Sequence, residues 1–188
     1  LNYLRKPYDR GQNQKDDGQY DDKTEVFGAC GAAALYRRDL VEEISINGEF
    51  LDEDFFAYYE DLDISWRAKI LGWRCIFVPT AIATHVRGWG DTLHKKSDNV
   101  NRNVGARLAI KNRYLLIIKN ERFKDIWPYL PIIFLMDSLR DFYLAFFYPR
   151  VLLGLYDVFR VLPKVIQKRK IINQKRIQDV NIRKWFFQ

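Results

Sequence analysis

The chain lacks the features that define several classes of protein. Its only cysteines in 188 residues are Cys30 and Cys75, too few for a disulfide framework and without metal-site spacing, so we expect a reducing compartment. The longest charge-free run in the C-terminal third is eleven residues, 126–136, whereas a membrane-spanning helix needs about 18. Six prolines and ten glycines exclude collagenous and low-complexity chains. The chain starts at Leu1 without a signal-peptide pattern, so we expect a piece of a longer protein.

The composition that remains is that of a globular protein with an uneven charge distribution. Hydrophobic residues make up 48% and charged residues 29%, which argues against intrinsic disorder, and the net charge is +7. Residues 39–63 contain ten acids and no Lys or Arg, whereas residues 160–188 contain nine basic residues against the single acid Asp179. An acidic middle and a basic end indicate two different partners. Charge alone does not choose between nucleic acid, anionic lipid and solvent for the basic end.

Patterns along the chain predict a polar loop followed by alternating strands and helices. Small apolar residues flanked by β-favouring ones predict a buried strand, and helical spacing with acids first and glycine last predicts the main helix. The predicted elements are a loop at 1–24, a buried strand at 25–37, a helix capped by Asp39 and reaching Ile44, a helix from Glu60 capped at Gly72, strands at 74–78 and 81–86, a loop at 87–98, a helix at 99–120, and apolar helices from Ile126 interrupted by prolines.

The acids of the main helix are the first candidates for chemistry. Glu60, Asp61 and Asp63 fall in its first turn, directly after the aromatic stretch 55–59. Helical spacing places them in different directions, so we expect one to face a site and the others to cap or stabilise the helix. Taken alone, the motif favours the structural interpretation, because the helix dipole favours acids at this end by about 0.3–1 kcal/mol each.

The order of the motifs along the chain favours the functional interpretation of these acids over the structural one. The stretches GACGAAALYRRDL (28–40), FLDEDFFAYYEDLDISWRAKILGWRCIFVP (50–79), AIATHV (81–86) and RLAIKNRYLLIIKN (107–120) cover most of residues 25–120. Together they resemble the C-terminal half of the catalytic domain of family 2 glycosyltransferases of the GT-A fold, and look closest to bacterial rhamnosyltransferase-like enzymes. The implied fold class is α/β, a Rossmann-like half domain followed by an α-helical tail.

The resemblance also implies roles for individual residues. Asp61 would be the catalytic base that deprotonates an acceptor hydroxyl as it attacks a nucleotide-sugar with inversion, and Glu60 would orient the acceptor or the base. Gly31 and Ala32 would line the donor-sugar and acceptor pocket, although close packing of a strand on a helix explains them equally well. His85 would help to hold a divalent metal, the alternative being a hydrogen-bonded strand histidine.

Four other residues have a structural or an open interpretation. Asp63 is expected to stabilise the helix, Trp66 to lie in the core, and Arg67 to pair with the acidic residues. Trp89, in a glycine-flanked loop, is a candidate for stacking on a sugar.

The chain departs from the family pattern at its start. The nucleotide-binding half and its Asp-x-Asp metal site are expected before residue 1, with residues 1–24 as the loop that follows them. Residues 25–120 would then be the acceptor-side half and residues 121–188 the tail. Most ligands of the Mn²⁺ or Mg²⁺ would lie upstream, so we expect this chain alone to be inactive. The implied partners are a nucleotide-sugar donor and a glycan or lipid-linked acceptor, as in cell-surface polysaccharide synthesis.

The tail combines aromatic and basic residues. Residues 123–159 hold 11 of the 29 aromatics, and the basic segment 164–184 follows. This combination is typical of helices in a membrane interface, which predicts a protein on the cytoplasmic face of the plasma membrane, bound to anionic lipid. The alternatives are a tail packed on the catalytic domain and a non-catalytic membrane-surface or protein-interaction module. A nucleic-acid partner is not expected, because no recognised binding motif occurs.

Overall fold

The structure is a computed structural model that describes residues 1–84, 99–178 and 180–186. Within these ranges the chain forms six α-helices and a two-stranded antiparallel sheet, in the order β1 (Glu25–Val26), α1 (Arg38–Ile44), α2 (Glu60–Ile70), β2 (Cys75–Ile76), α3 (Asn99–Asn120), α4 (Phe123–Ile126), α5 (Leu130–Phe147) and α6 (Leu153–Lys175). Short 3₁₀ helices at Trp127–Tyr129, Pro149–Leu152 and Ile182–Phe186 connect or follow the C-terminal helices. Pro128 and Pro149, at the starts of the first two of these turns where no backbone donor is needed, separate one helix from the next.

Helices α2, α3 and α6 share one hydrophobic core. Trp66 and Ile70 of α2 are buried against Leu115 and Leu116 of α3, and α6 adds apolar residues to the same cluster. The C-terminal 3₁₀ helix returns to this core, where the ring of Phe186 lies 5.6 Å from the ring of Trp66. The part predicted as a tail is therefore packed into the same core as α2.

A buried ionic hub, formed by Asp52, Asp63, Lys119 and Lys168, connects the same helices through charges. Lys119 of α3 contacts both Asp52 and Asp63, and Lys168 of α6 contacts Asp52 at 2.6 Å. Burial alone would raise the pKa of Asp52, but Lys119 and Lys168 lower it to about 2. The acidic segment that precedes α2 is thus held by lysines from two later helices.

Two of the predicted strands are wrong over most of their length. Only Glu25–Val26 of the segment 25–37 is a strand, and it pairs with Cys75–Ile76 inside the predicted strand 74–78. The residues after it lie against α2 without strand pairing, and Leu35 is fully exposed. Residues 81–84 are irregular, and the rest of the strand predicted at 81–86 lies outside the described residues.

The helices agree better with the sequence. Helix α2 begins at Glu60, and Gly72, with φ +82°, follows its end as expected. Helix α3 has the predicted bounds. Asp39, however, lies in the first turn of α1, and the N-cap position is Arg37.

Helix α5 has an unusual distribution of polarity. Its buried positions are Ile133 and Asp137, and Asp137 accepts a hydrogen bond from Arg113 of α3 at 2.6 Å. The opposite side is apolar and exposed. We call the exposed apolar residues of α5 and the start of α6 the apolar face: Phe134, Leu135, Leu139, Phe142, Phe146, Phe147, Tyr156 and Phe159.

The start of α6 likewise turns polar groups inward. Asp157 accepts two hydrogen bonds from Arg107 of α3, at 2.6 and 2.7 Å. Asp157 therefore lies against α3 rather than in solvent. No helix in the described ranges is long and apolar enough to span a bilayer.

Candidate functional site

The first turn of α2 meets the segment that contains Gly28 and Gly31. The carboxylate oxygen Oδ2 of Asp61 accepts a hydrogen bond from the backbone N–H of Gly31 at 3.0 Å, and Oδ1 accepts one from the N–H of Leu62 at 2.7 Å. These two bonds fix the orientation of a half-buried carboxylate. The structure therefore brings together two of the predicted site residues, Asp61 and Gly31.

Gly28 allows the segment to approach the helix one turn further along. A Cβ at Gly28 would lie 2.1 Å from the Oγ of Ser65, and that hydroxyl donates a hydrogen bond to the carbonyl of Asp61 at 2.8 Å. A side chain at residue 28 would push the segment away from α2. The close packing proposed as the alternative role of these glycines is confirmed for Gly28, and Gly31 combines proximity to α2 with a direct bond to Asp61.

Glu60 lies beside Asp61 in a different environment. It is half-buried, and its Oε2 is buried without a hydrogen-bond partner among the described residues. Burial raises the pKa of Glu60, and the charge of Asp61 adds to the rise, while a backbone hydrogen bond opposes it. An unpaired carboxylate oxygen beside the candidate base is suited to accept a hydrogen bond from a bound hydroxyl.

The loop that leads into α2 has an uncommon backbone. Phe56, Tyr58 and Tyr59 have φ values of +65°, +69° and +70°, in the left-handed region that costs a residue other than glycine about 1–2 kcal/mol. Tyr59 is the N-cap residue of α2, without a side-chain capping bond. The side chain of Phe56 is 81% exposed. Strained backbone directly before two carboxylates is a common property of functional sites.

Asp63, expected to stabilise the helix, has partners inside the protein. Its carboxylate is completely buried and contacts Arg67 and Lys119 at 2.8 Å each. Asn120 donates a third hydrogen bond to it at 2.8 Å. Burial opposes its ionisation, but these partners lower the pKa of Asp63. The pairing predicted for Arg67 with the acidic residues and the core position of Trp66 are confirmed.

Tyr36 was missed by the sequence analysis. Burial first, and then the negative charge of Asp61, raises the pKa of this half-buried phenol. Tyr36 lies close enough to Asp61 for the negative charge of that carboxylate to raise the pKa of the phenol. A tyrosine in a segment of small residues gave no motif by which to find it.

The remaining predicted residues are not joined to this cluster. Ala32 is exposed next to Gly31, and His85 and Trp89 lie outside the described residues. Within the described ranges, no group of three His, Cys, Asp or Glu side chains is placed to hold a metal ion. This part of the chain therefore does not form a metal site by itself.

Comparisons with known proteins agree with the motif order. The family model described as Glycosyl transferase family group 2 matches residues 14–166, which includes the whole cluster around Asp61. Two curated relatives, both called N-acetylglucosaminyl-diphospho-decaprenol L-rhamnosyltransferase, come from the CDC 1551 / Oshkosh and H37Rv strains of Mycobacterium tuberculosis. Each is 29% identical over 97 residues, which is 52% of this chain and 27% of the relative.

The coverage limits what these matches establish. The chain spans about a quarter of the length of the curated relatives it matches. No solved structure matches the chain significantly.

Proposed function

The chain belongs to glycosyl transferase family group 2, and from that premise we propose that it supplies the acceptor side of a site that transfers a sugar from a nucleotide-sugar donor to a hydroxyl group of a glycan or lipid-linked acceptor. The observation that carries the proposal is the half-buried carboxylate of Asp61, oriented by the Gly31 N–H beside the unpaired oxygen of Glu60. Family membership supports the GT-A fold for the domain, with residues 25–120 as its acceptor-side part.

Asp61 acts as the general base in this proposal. Its carboxylate takes the proton of the acceptor hydroxyl while the oxygen attacks the anomeric carbon of the donor. The bond from that carbon to the diphosphate oxygen breaks, and the nucleotide diphosphate leaves with the electron pair. Attack from the side opposite the leaving group inverts the configuration. A base in this role must be ionised and within hydrogen-bond reach of the proton.

Glu60 orients the acceptor rather than taking its proton. Its carboxyl group would accept a hydrogen bond from a second hydroxyl of the acceptor, and for the buried Oε2 to take part, acceptor binding would have to expose it. Gly31 contributes its backbone N–H to Asp61, and with Ala32 it would border the donor-sugar and acceptor pocket that the family resemblance implies.

A divalent metal on the donor diphosphate belongs to the proposal only through the resemblance to the family. The mechanism above contains no step through a metal, because the described residues do not group into a metal site. His85 and Trp89 remain predictions as a metal ligand and a sugar-stacking residue.

Two substitutions in the full-length protein separate the base from the orienting acid. Asp61→Asn keeps the shape of the side chain but removes its basicity, so kcat should fall by about 10²–10⁴-fold. Glu60→Gln should mainly raise KM for the acceptor. Glu53→Gln, an exposed acid of the same segment, is the control and should leave both constants unchanged. Transfer is measured with radiolabelled nucleotide-sugar, and undiminished turnover in Asp61→Asn would contradict the assignment.

We also propose that the apolar face of α5 and α6 docks on an anionic membrane surface, as part of a peripheral protein at the cytoplasmic face. The outward side chains are apolar, whereas the acids Asp137 and Asp157 turn inward to Arg113 and Arg107. Exposed apolar surface beside basic residues is the pattern of helices that lie in a lipid interface. A lipid-linked acceptor would be reached from such a position.

The structure reduces the number of basic residues that can contact lipid. Lys168 lies in the ionic hub, Arg169 donates to the carbonyl of Ile118, and Arg176 donates to the carbonyl of Asn120. These three were expected to contact lipid and instead hold α6 to the domain. Exposed basic residues that remain for anionic headgroups near the apolar face are Arg150, Arg160, Lys164 and Lys170. Lys175, which donates to the carbonyl of Glu43, and Arg183 and Lys184 of the last 3₁₀ helix are exposed as well.

A further inference from the structure

The strained loop before α2 is held from α3, by residues that no catalytic motif includes. The side-chain nitrogen Nδ2 of Asn112 donates to the carbonyl oxygens of Phe55, Ala57 and Tyr58 at 2.9, 2.7 and 2.7 Å. The neighbouring Lys111 donates from Nζ to the carbonyl of Asp54 at 2.6 Å. Two adjacent residues of one helix thus bind four carbonyls of a five-residue loop.

The position of the Asn112 amide nitrogen requires a hydrogen-bond donor. Three carbonyl oxygens converge on one point, and each can only accept a hydrogen bond, so the group between them must be a donor. Asn112 is completely buried, and its Oδ1 has no hydrogen-bond partner among the described residues. A buried amide with an unpaired oxygen is unfavourable unless its nitrogen compensates, which indicates that the donated bonds are the purpose of the residue.

We propose that Asn112 is a positioning residue for sugar transfer, which holds the loop 54–59 in its left-handed conformation and thereby sets the positions of Glu60 and Asp61 at the start of α2. This inference rests on the proposed function of that site. The three positive φ values cost energy that the loop cannot recover internally, and the bonds from α3 offset it. Helix α3 is a firm support, because Leu115 and Leu116 on its next turn are fully buried.

Without Asn112, the loop should relax toward ordinary backbone conformations and carry the first turn of α2 with it. A displacement of about 1 Å at a catalytic group can reduce the rate by about 100-fold. The loss should fall on the step that uses the acceptor, since the loop leads only to the acceptor-side carboxylates. Binding of the nucleotide-sugar should change little.

Asn120 provides a matched control on the same helix. It is also completely buried, also has an unpaired Oδ1, and donates from Nδ2 to Asp63 and to the carbonyl of Leu116. Among the described residues, its Nδ2 bonds are to these two groups and not to the loop carbonyls. Asn112→Ala and Asn120→Ala therefore remove the same buried amide, and only the first removes the clamp on the loop.

The readout is the ratio of sugar transferred to acceptor to sugar lost to water, measured with the full-length protein and a radiolabelled nucleotide-sugar. This ratio does not depend on how much of a variant is folded. In Asn112→Ala it should fall by about 10-fold or more, with KM for the donor unchanged, while Asn120→Ala should stay within about 2-fold of wild type. An unchanged ratio in Asn112→Ala, or equal falls in both variants, would overturn the proposal.

Hydrogen exchange supplies a readout that needs no activity. Amides of residues 53–60 should exchange at least about 10-fold faster in Asn112→Ala than in Asn120→Ala. Equal exchange in this segment would reject the clamp whatever the activity. A wild-type protein that transfers no sugar, yet shows this difference in exchange, would instead reject the proposed function and leave the clamp on the loop established.

Discussion

At the scale of single residues, the carboxylates of the first turn of α2 occupy three different environments. Asp61 is oriented by backbone donors, Asp63 is buried among Arg67, Lys119 and Asn120, and Glu60 keeps one buried oxygen without a partner. Their order in the helix explains the division, since successive residues point about 100° apart. The contacts of Asp63 hold α2 against α3. Asp61 and Glu60 are therefore not needed for the packing of these two helices.

Glu60 should make the protein less stable at neutral pH than it would be without the charge. Its pKa is raised above the ordinary 4.5, so the folded protein holds this proton more tightly than the unfolded chain. Stability should therefore fall as the pH rises from about 4.5 through the folded pKa, and remain lower above it. Glu60→Gln removes this titration and should raise the melting temperature at pH 7.

The measurement is thermal unfolding of wild type and Glu60→Gln from pH 4 to pH 8. The two melting temperatures should coincide below pH 4.5 and separate above it. Glu53→Gln, at an exposed position, should show no such separation. A constant difference between wild type and Glu60→Gln over the whole range would show that burial of the charge is not its source.

At the scale of elements, Gly154 sets how closely α6 approaches α3. A Cβ at this position would lie 2.5 Å from the carbonyl oxygen of Arg107 and 3.3 Å from the Cβ of Ile110. Alanine is favoured over glycine in a helix by about 1 kcal/mol. The contact should nevertheless dominate, because backbone atoms cannot move aside without separating the helices, and overpacking costs about 1–3 kcal/mol.

We therefore expect Gly154→Ala to lower the free energy of unfolding, as measured by denaturant titration. Gly105→Ala in α3 is the matched control. A Cβ there would meet Tyr58 Oη at 3.4 Å, an ordinary contact, so the helix preference for alanine should prevail and stability should hold or rise. Equal effects of the two substitutions would contradict the close crossing.

The elements that the sequence predicted well are those whose signals are local. Acids at Glu60 and glycine at Gly72 mark the ends of α2, and the bounds of α3 follow from periodicity. The strand predicted at 25–37 was wrong, because small apolar residues are equally compatible with a strand and with close packing against a helix. The contact that distinguishes these two possibilities is between Gly28 and Ser65, which are far apart in the sequence.

The site could likewise be predicted from the sequence only where its signals are local. Asp61 and Glu60 could be proposed from motif order, whereas the role of Asn112 depends on three carbonyls more than fifty residues away. The run Lys111, Asn112, Arg113, between the apolar stretches 108–110 and 114–118 of α3, was the available signal. All three side chains are buried, and each donates to a group outside α3.

At the scale of the whole molecule, the C-terminal helices serve the domain on one side and expose an apolar surface on the other. Lys168 and Arg169 secure α6 to the domain, while Phe146 and Phe147 are 70% and 66% exposed. The tail thus packs on the domain, as one alternative expected, and still exposes the aromatic residues that the membrane interpretation requires.

Binding to lipid should therefore divide into two parts that respond differently to salt. The apolar face contributes a part proportional to buried area, about 25 cal/mol per Å², which salt does not screen. The exposed residues Arg150, Arg160, Lys164 and Lys170 add up to about 1 kcal/mol each on anionic lipid, and this part weakens as the Debye length shortens. We expect fewer such contributions than the basic sequence suggests, because Lys168, Arg169 and Arg176 are held by the domain.

The full-length protein should sediment with phosphatidylserine-containing liposomes at low salt, and a smaller fraction should remain bound at high salt or on neutral liposomes. Phe146→Ser with Phe147→Ser should remove the salt-resistant fraction without lowering the melting temperature, because neither ring is buried. Leu35→Ser with Ile82→Ser, which removes two exposed apolar side chains from other segments, is the control and should leave binding unchanged. Absence of binding by folded wild type at low salt, or equal losses in both double variants, would exclude the apolar face as a membrane-docking surface.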